Sequence, residues 1–287
     1  MTSQRSNRWQ IGDVSITRII EGERAGPLFL LPDATPENIL TMPWLQPHFA
    51  DSQGNCIISI HALVVETPTK RIIVDTCLGN DKARTFPEWN NLQTRFLADL
   101  EANGYARESI DTVLCTHLHT DHVGWNTMLV DGAWAATFPN AEYLFGEEEW
   151  HYTEAQSGNP MYAEFIVDSI KPIIDAGLTR FVSTSERICD EVWLEPTPGH
   201  TPGHVSVRIE SQGDKAVISG DFLHHPCQMQ HPRWECLADW HRETAEATRE
   251  SKLAQYADEG VLFFGTHFAT PSAGRIVRRD GHFILQV

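Results

Sequence analysis

A short run of metal-ligating side chains restricts this 287-residue chain more than any other part of its sequence. Three histidines and one aspartate lie within six positions, in the segment His117-Leu118-His119-Thr120-Asp121-His122. At this histidine and aspartate content, such a spacing arises by chance in about one chain in five hundred. His117 and His119 alternate on an extended backbone, so both rings can point to the same side. Because imidazole and carboxylate groups bind zinc and similar divalent ions, the run predicts a metal site.

Further candidate ligands follow predicted strands elsewhere in the chain. His200 lies in the turn with the sequence TPGHTPGH, and Asp221 and His267 each come shortly after a strand and a glycine. The run that starts at His117 also follows a predicted strand. A rigid strand and a tight turn place a polar group firmly at the edge of a sheet. One such edge with several of these groups can serve two neighbouring ions.

Hydrophobic alternation and turn residues divide the chain into predicted strands and helices. The predicted strands are Val14–Ile20, Cys56–Glu66, Arg71–Asp75, Thr112–Cys115, Ala141–Phe145, Val192–Leu194, Val205–Ile209, Ala216–Ser219, Val261–Phe264 and Gly281–Val287. The predicted helices are a segment with apolar residues from Leu92 to Leu100, followed by a stop at Gly104, and the segments Met161–Ala176 and Trp240–Ala257. Strands in both halves with helices between them predict one domain over residues 1–287, with two packed sheets covered by helices.

The segment Gly26–Asp51 differs from its surroundings because it contains five prolines together with Phe29, Trp44 and Phe49. Long loops of this kind are more often functional than filler. We interpret residues 26–51 as a lid or a dimer arm. A surface loop held by its own aromatic residues explains the composition equally well, so a homodimer stays an open alternative.

The order of these candidate ligands resembles that of the metallo-β-lactamase superfamily of hydrolases. The resemblance rests on the run from His117, on His200, Asp221 and His267, and on Asp75 in the sequence IVDTCLGN; it extends from about residue 57 to residue 267. It implies an α/β (α+β, four-layer) fold, namely an αββα sandwich with a dinuclear metal site between the edges of its sheets.

The resemblance also implies a ligand set for two divalent ions, with zinc expected and manganese, cobalt or iron as alternatives. One ion would take His117, His119 and His200, and the other would take Asp121, His122 and His267. Asp221 and a hydroxide would bridge the two ions. Asp75 would orient a ligand instead of binding metal. His204, the second histidine of the TPGHTPGH turn, is interpreted as structural.

Three differences from known groups of members limit the branch of the superfamily to which this chain can belong. Lactam-hydrolysing members of the commonest subclass carry cysteine where Asp221 stands, and flavin-linked di-iron members carry glutamate where His119 stands. Nucleic-acid-processing members append a second large domain and a basic surface, which this acidic chain lacks. The remaining set resembles acyl-homoserine lactonases and methyl-parathion-hydrolase-like enzymes. Many such lactonases have a tyrosine three residues after the bridging aspartate. This chain has His224 at that position, and in this respect it resembles the triesterase-like branch more closely.

The sequence therefore predicts a dinuclear-metal hydrolase that uses a metal-bridging hydroxide to cleave a lactone or carboxylic ester of a medium-sized neutral substrate. An organophosphate triesterase on the same site is one alternative; a di-iron redox protein or a non-catalytic metal-binding member is another. Asp221, Asp121 and His224 are the candidate catalytic residues. His224 could donate a hydrogen bond to an oxyanion or a proton to the leaving group, and a structural role for it is equally open.

Four aromatic residues near the ligand loops are candidates for an apolar pocket wall, although each could instead pack in the core: Phe49, Trp89, Trp125 and Phe222. An apolar pocket with a few polar groups suits a neutral ester or lactone.

Composition limits the partners. The chain has 22 Lys and Arg against 39 Asp and Glu, a formal charge of −17. Such a field repels phosphate backbones and anionic lipid, so we expect a small-molecule substrate and neither nucleic acid nor membrane. No apolar run reaches the length of a membrane span. The six scattered cysteines and the absence of a visible signal peptide predict reduced thiols and a cytoplasmic location.

Overall fold

Within residues 7–287, which the computed structural model describes, the chain forms fifteen strands and eight α-helices. The strands are β1 (Arg8–Ile11), β2 (Val14–Gly26), β3 (Cys56–Glu66), β4 (Arg71–Val74), β5 (Thr112–Leu114), β6 (Thr127–Val130), β7 (Ala133–Ala136), β8 (Glu142–Gly146), β9 (Thr179–Val182), β10 (Val192–Pro196), β11 (Val205–Ser211), β12 (Asp214–Ile218), β13 (Leu262–Phe264), β14 (Ala273–Arg279) and β15 (His282–Gln286). The helices are α1 (Pro36–Leu40), α2 (Phe96–Ala102), α3 (Thr120–Val123), α4 (Glu147–Ala155), α5 (Pro160–Phe165), α6 (Lys171–Asp175), α7 (Cys227–Gln230) and α8 (Arg242–Glu259).

The strands form two large sheets and a separate hairpin. The first sheet has the order β1-β2-β3-β4-β5-β8-β9, and the second has the order β10-β11-β12-β13-β14-β15. Strands β6 and β7 pair with each other. Each large sheet contains parallel neighbours, β4 with β5 in the first and β12 with β13 in the second.

The sheets pack face to face because side chains alternate between the two faces of each strand. In β4, Ile72 and Val74 belong to a buried cluster shared by both sheets, whereas Ile73 packs on the opposite face. In β12, Ile218 lies in the shared cluster and Val217 faces the other way. The inner faces of the two sheets therefore form one core layer.

Helices cover the two outer faces. Phe96 and Leu100 of α2 pack on the outer face of the first sheet, and Leu253 and Tyr256 of α8 pack on that of the second. The layer order is helix, sheet, sheet, helix, so the predicted αββα sandwich is confirmed.

The predicted strands occur with shifts of one or two residues at most ends, although β2 continues to Gly26, well beyond the predicted end at Ile20. One predicted helix is interrupted. The segment predicted as a helix from Met161 to Ala176 consists of α5, a π-helical turn over Ile166–Ile170, and α6. Pro172 comes shortly after the π-helical turn and has no N–H to donate to the carbonyl oxygen of Asp168, which accepts from Nζ of Lys82 instead. The helices α1, α3, α4 and α7 and the strands β1, β6, β7, β9 and β14 were not predicted.

The segment 26–51 contains α1 and packs against the body of the protein. Leu31, Ile39, Leu45 and Phe49 are buried in the cluster that also holds α8. Its apolar residues thus serve the core, and its role as a lid or dimer arm stays a prediction. Among the described residues, no helix has the length and apolarity that crossing a membrane requires.

Candidate metal centre

Four residues of the candidate site follow strands that belong to parallel pairs. Asp75 and His117 follow the neighbouring strands β4 and β5, and Asp221 and His267 follow the neighbouring strands β12 and β13. Parallel neighbours end at the same edge of a sheet, so each pair brings its following loops together. The packing of the two sheets then sets these edges side by side, and the structure brings all seven predicted ligands into one cluster.

A first group consists of three histidines. Nδ1 of His119 lies 3.0 Å from Nε2 of His117 and 2.9 Å from Nε2 of His200. His117 and His200 are buried, and the ring of His119 is partly buried. Three ring nitrogens therefore converge on one point.

A second group consists of Asp121, His122 and His267. Nε2 of His122 lies 3.7 Å from Oδ1 of Asp121, and Nε2 of His267 lies 3.5 Å from Oδ2 of the same carboxylate. The single turn of α3 carries both Asp121 and His122, so their side chains diverge by about 100° and do not point in opposite directions as neighbours on a strand would.

Asp221 lies between the two groups. Its Oδ2 faces the Nε2 atoms of five histidines: His122 and His267 at 3.2 Å, His224 at 3.3 Å, His200 at 3.7 Å and His117 at 3.9 Å. A single carboxylate oxygen is thus within 4 Å of nitrogens from both groups.

The residues fit divalent cations. Nε2 of His122 and Oδ1 of Asp221 are buried and have no hydrogen-bond partner within residues 7–287. Buried polar atoms are otherwise nearly always paired, so these two atoms call for an additional partner. The three converging nitrogens of His117, His119 and His200 also cannot all be paired with one another, because a neutral imidazole ring carries only one N–H. Imidazole nitrogens and carboxylate oxygens are the ligand types that zinc and similar ions take.

Burial sets the protonation of the first group. It lowers the pKa of His117 and His200 well below the ordinary histidine value and lowers that of His119 to about 4. These rings are therefore neutral near pH 7 and offer lone pairs. Burial alone would raise the pKa of Asp221, but the facing imidazoles, led by His122, outweigh it and hold that pKa well below its usual range.

Asp75 orients His122 from behind. Asp75 adopts a left-handed backbone, with φ of 56°, directly after β4. Its Oδ2 lies 2.9 Å from Nδ1 of His122, and its Oδ1 accepts a hydrogen bond of 2.8 Å from the backbone N–H of Thr116. A histidine whose Nδ1–H is held by a carboxylate presents Nε2 to a cation.

Two other outer contacts were missed by sequence reasoning. Nδ1 of His200 lies 3.2 Å from Oδ1 of Asp239, whose Oδ2 accepts a hydrogen bond from Arg249. Nδ1 of His267 lies 3.1 Å from the carbonyl oxygen of Ser59 in β3. Asp239 and Ser59 lie in segments without any motif, so no signal in the sequence points to them.

A buried glutamate joins the two loops that carry the first group. Oε1 of Glu149 accepts a hydrogen bond of 3.1 Å from the N–H of Leu118, and its Oε2 accepts one of 3.2 Å from the N–H of Gly203. Burial raises the pKa of Glu149 to about 7. This residue also carried no recognisable signal, because it lies in the unpredicted helix α4.

A cavity of about 570 Å³ opens over the centre. Six candidate site residues line it: His119, Asp121, His200, Asp221, His224 and His267. Much of the remaining wall is apolar and includes Leu28 and Leu30 from segment 26–51, Trp89, Met161 and Phe165.

Of the four aromatic residues predicted for this wall, Trp89 lines the cavity, and the prediction is wrong for Phe49, Trp125 and Phe222. Those three are buried in the core. The indole N–H of Trp125 donates to Oε1 of Glu21, which fixes the ring behind the wall.

Comparison with known sequences gives one family and two informative relatives. The family model described as Metallo-beta-lactamase superfamily matches residues 58–267. An N-acyl homoserine lactonase of Bacillus cereus is 24% identical over 196 residues, which are 64% of this chain and 65% of that protein. An N-acyl homoserine lactonase of a Bacillus species is 26% identical over 173 residues, 56% of this chain and 62% of that protein. The chain thus spans a little under two thirds of the length of these curated relatives.

Comparison with solved structures extends over nearly the whole chain. The hydrolase AbOPH, described as in the beta lactamase superfamily, has a TM-score of 0.79 and 26% identity, with 99% of each chain covered. AidC, described as a dizinc quorum-quenching lactonase, has a TM-score of 0.76 and 20% identity, with 97% of this chain and 96% of that chain covered.

Proposed function

This chain belongs to the metallo-beta-lactamase superfamily, and on that premise we propose that it is a metal-dependent hydrolase that opens a lactone or cleaves a carboxylic ester. The observation that carries the proposal is the position of Asp221. Its Oδ2 lies 3.2 Å from Nε2 of both His122 and His267 and 3.7 Å from Nε2 of His200, at the floor of an apolar cavity. Named relatives that are lactonases support the choice of bond.

We assign two divalent ions to this centre, with zinc as the expected metal. The first group, His117, His119 and His200, would hold one ion, and the second group, Asp121, His122 and His267, would hold the other. Asp221 would contact both, since its Oδ2 faces nitrogens of both groups. Divalent ions supply Lewis acidity, which polarises a carbonyl group and makes water acidic enough to act as a nucleophile near neutral pH.

The residues around the ligands prepare the centre for this chemistry. Asp75 and Asp239 hold Nδ1 of His122 and of His200, so both rings keep Nε2 directed at the centre. Nε2 of His224 lies 3.3 Å from Oδ2 of Asp221 and its ring lines the cavity. His224 is thus placed to donate a hydrogen bond to the developing oxyanion or a proton to the leaving alkoxide.

The cavity wall selects for a substrate with an apolar part. Leu28, Leu30, Trp89 and Phe165 surround the space above the centre, and desolvating an alkyl chain against them is favourable. A cavity of about 570 Å³ is within the range that holds a small organic ligand. We therefore propose a medium-sized neutral lactone or ester.

Hydrolysis by the zinc-loaded protein tests this proposal. N-hexanoyl homoserine lactone, p-nitrophenyl acetate and paraoxon would be compared at one protein concentration, before and after removal of metal by a chelator and restoration by zinc. Turnover of the lactone or the ester that is lost with the metal and regained with zinc would support the proposal.

Other outcomes of the same test identify the alternatives. Turnover confined to paraoxon would indicate a phosphotriesterase, and an absence of turnover on all three substrates would favour a metal-binding protein without catalysis. A visible absorption band of the purified protein would indicate iron, since zinc is colourless. The first two outcomes would contradict the lactone or ester proposal, and iron in the protein would contradict the assignment of zinc.

A further inference from the structure

A tyrosine outside the ligand set lies between the candidate metal centre and the apolar wall. Tyr162 is in α5, whose first turn is fixed by Asn159, the side chain of which accepts a hydrogen bond from the N–H of Met161. Tyr162 and Phe165 are three residues apart, so they share one helix face, and both line the cavity. The phenol ring is half-buried.

The hydroxyl group of Tyr162 faces a candidate ligand. Its Oη lies 3.4 Å from Nε2 of His119, while Nδ1 of His119 faces Nε2 of His117 and of His200 at 3.0 and 2.9 Å. When Nδ1 offers its lone pair to a cation, the proton of the neutral ring lies on Nε2. His119 then donates this hydrogen bond, and the phenol oxygen of Tyr162 accepts it.

A phenol that accepts a hydrogen bond keeps its own O–H for a second partner. Within the described chain, Oη of Tyr152 lies 3.5 Å away, at the long limit of a hydrogen bond. Tyr152 does not line the cavity. Met161 and Phe165 beside Tyr162 offer no strong acceptor. The side-chain oxygens of Asn159 and Glu164 in the same wall already accept from Met161 and from Thr85. The O–H of Tyr162 is therefore available to an oxygen of a molecule in the cavity.

The position of this donor indicates which oxygen it would reach. Nδ1 of His119 faces the centre, and Nε2, which faces Tyr162, lies across the imidazole ring from Nδ1. The imidazole ring of His119 therefore separates the phenol of Tyr162 from the point where the ligand nitrogens converge. An oxygen on the carbonyl under attack belongs at the centre, so Tyr162 would meet a second oxygen, farther along the substrate.

We propose that Tyr162 is a substrate-binding residue whose O–H donates to a second carbonyl oxygen, such as that of an amide, next to the lactone or ester that is cleaved. The inference rests on the proposed function and adds a substrate class to it: lactones or esters with a hydrogen-bond acceptor between the reacting group and the apolar arm. His119 keeps the phenol oriented by donating to its oxygen.

The test compares two variants on two lactones. Tyr162→Phe removes the hydroxyl at the cavity, and the matched variant Tyr152→Phe removes the hydroxyl outside it. N-hexanoyl homoserine lactone carries the amide, and γ-decanolactone carries an apolar arm without one. We expect Tyr162→Phe to raise KM about tenfold for the amide-bearing lactone alone, the size of one neutral hydrogen bond, with kcat nearly unchanged. Tyr152→Phe should behave as wild type on both.

Binding and metal content complete the test. Calorimetry with N-hexanoyl homoserine, the ring-opened product, should show a similar loss of affinity in Tyr162→Phe without any turnover. Metal analysis should give the wild-type content in both variants. An unchanged KM, an equal change on both lactones, or a loss of metal from Tyr162→Phe would overturn the role of Tyr162 and leave the hydrolase proposal intact. Wild-type protein that is inactive on both lactones would overturn the role of Tyr162, and inactivity on p-nitrophenyl acetate as well would also overturn the hydrolase proposal.

Discussion

His204 supports Asp221 from behind: its Nε2 accepts a hydrogen bond of 2.7 Å from the backbone N–H of Asp221. Its Nδ1 lies 3.0 Å from the carbonyl oxygen of Thr197, so the proton is on Nδ1 and the lone pair on Nε2. The contact is so close that a Cβ at Gly220 would lie 2.5 Å from Nε2 of His204. None of the ligand groups found among residues 7–287 includes His204. The ring therefore fixes the backbone that carries Asp221.

Replacing His204 should cost stability and leave the metal bound. His204→Ala leaves the buried N–H of Asp221 without an acceptor and creates a cavity, which together should lower the free energy of unfolding by about 2–4 kcal/mol. Urea denaturation measures that loss, and elemental analysis measures the metal per chain. Loss of a full metal equivalent with unchanged stability would show that His204 is a ligand.

Replacing Asp221 should remove both metal and activity. Asp221→Ala deletes the carboxylate that faces five imidazoles. Replacing a residue that only orients a ligand typically costs up to about 100-fold in activity, so the loss of turnover here should be larger than that. The matched variant Asp175→Ala changes an exposed aspartate on α6 and should retain wild-type activity. Wild-type turnover in metal-loaded Asp221→Ala would contradict the proposed centre.

Asp75 should affect metal affinity without binding the metal. Asp75→Asn removes the carboxylate that faces Nδ1 of His122, so the ring loses its fixed orientation. We expect metal affinity to fall by about 10- to 100-fold, measured by competition with a chromophoric chelator. Asp111→Asn, which alters an exposed carboxylate that accepts from the N–H of Arg71, is the control and should leave the affinity unchanged.

Glu149 should couple the two loops of the first ligand group. Glu149→Gln keeps one acceptor oxygen but turns an amide NH₂ towards a backbone N–H, so either Leu118 or Gly203 loses its partner. The expected cost is about 1–3 kcal/mol of unfolding free energy together with weaker metal binding. Glu148→Gln changes the exposed neighbour and should match wild type. Equal metal affinity in all three proteins would contradict the coupling.

His225 should make stability depend on pH. It is buried against the carbonyl oxygen of Phe49 at 2.8 Å, and burial lowers its pKa to about 4. The unfolded chain has the ordinary value near 6.5 and binds more protons between these values, so stability falls as the pH drops. From pH 7 to 5 this single group removes about 2 kcal/mol. His225→Gln should therefore lose less stability than wild type between pH 7 and 5, as measured by urea denaturation at each pH.

The strands and the ligand run were predictable because their signals are local. Runs rich in isoleucine and valine mark β3 and β4, and the histidine spacing from His117 needs no tertiary information. One local signal was overlooked. Asp131-Gly132, with φ of 50° and 81°, forms the tight turn between β6 and β7, and such a dipeptide between two apolar runs is typical of a hairpin.

The outer contacts of the centre could not be predicted, because they depend on packing between distant segments. Asp239 reaches His200 and Ser59 reaches His267 only after the sheets and helices have docked. Trp125 shows the same limit: its ring follows the ligand run closely in sequence, yet its indole is used by Glu21 inside the core. Proximity in sequence to a site therefore says little about which aromatic residues face it.

The placement of His267 bears on how the protein is made. It is the last of the seven candidate ligands along the chain, and its Nδ1 and carbonyl oxygen both contact the backbone of Ser59, more than two hundred residues earlier. Synthesis runs from the N-terminus, so a growing polypeptide on the ribosome exposes six of these side chains before the seventh is even translated. Capture of the ion proposed for the second group would therefore have to wait until residue 267 has been synthesised.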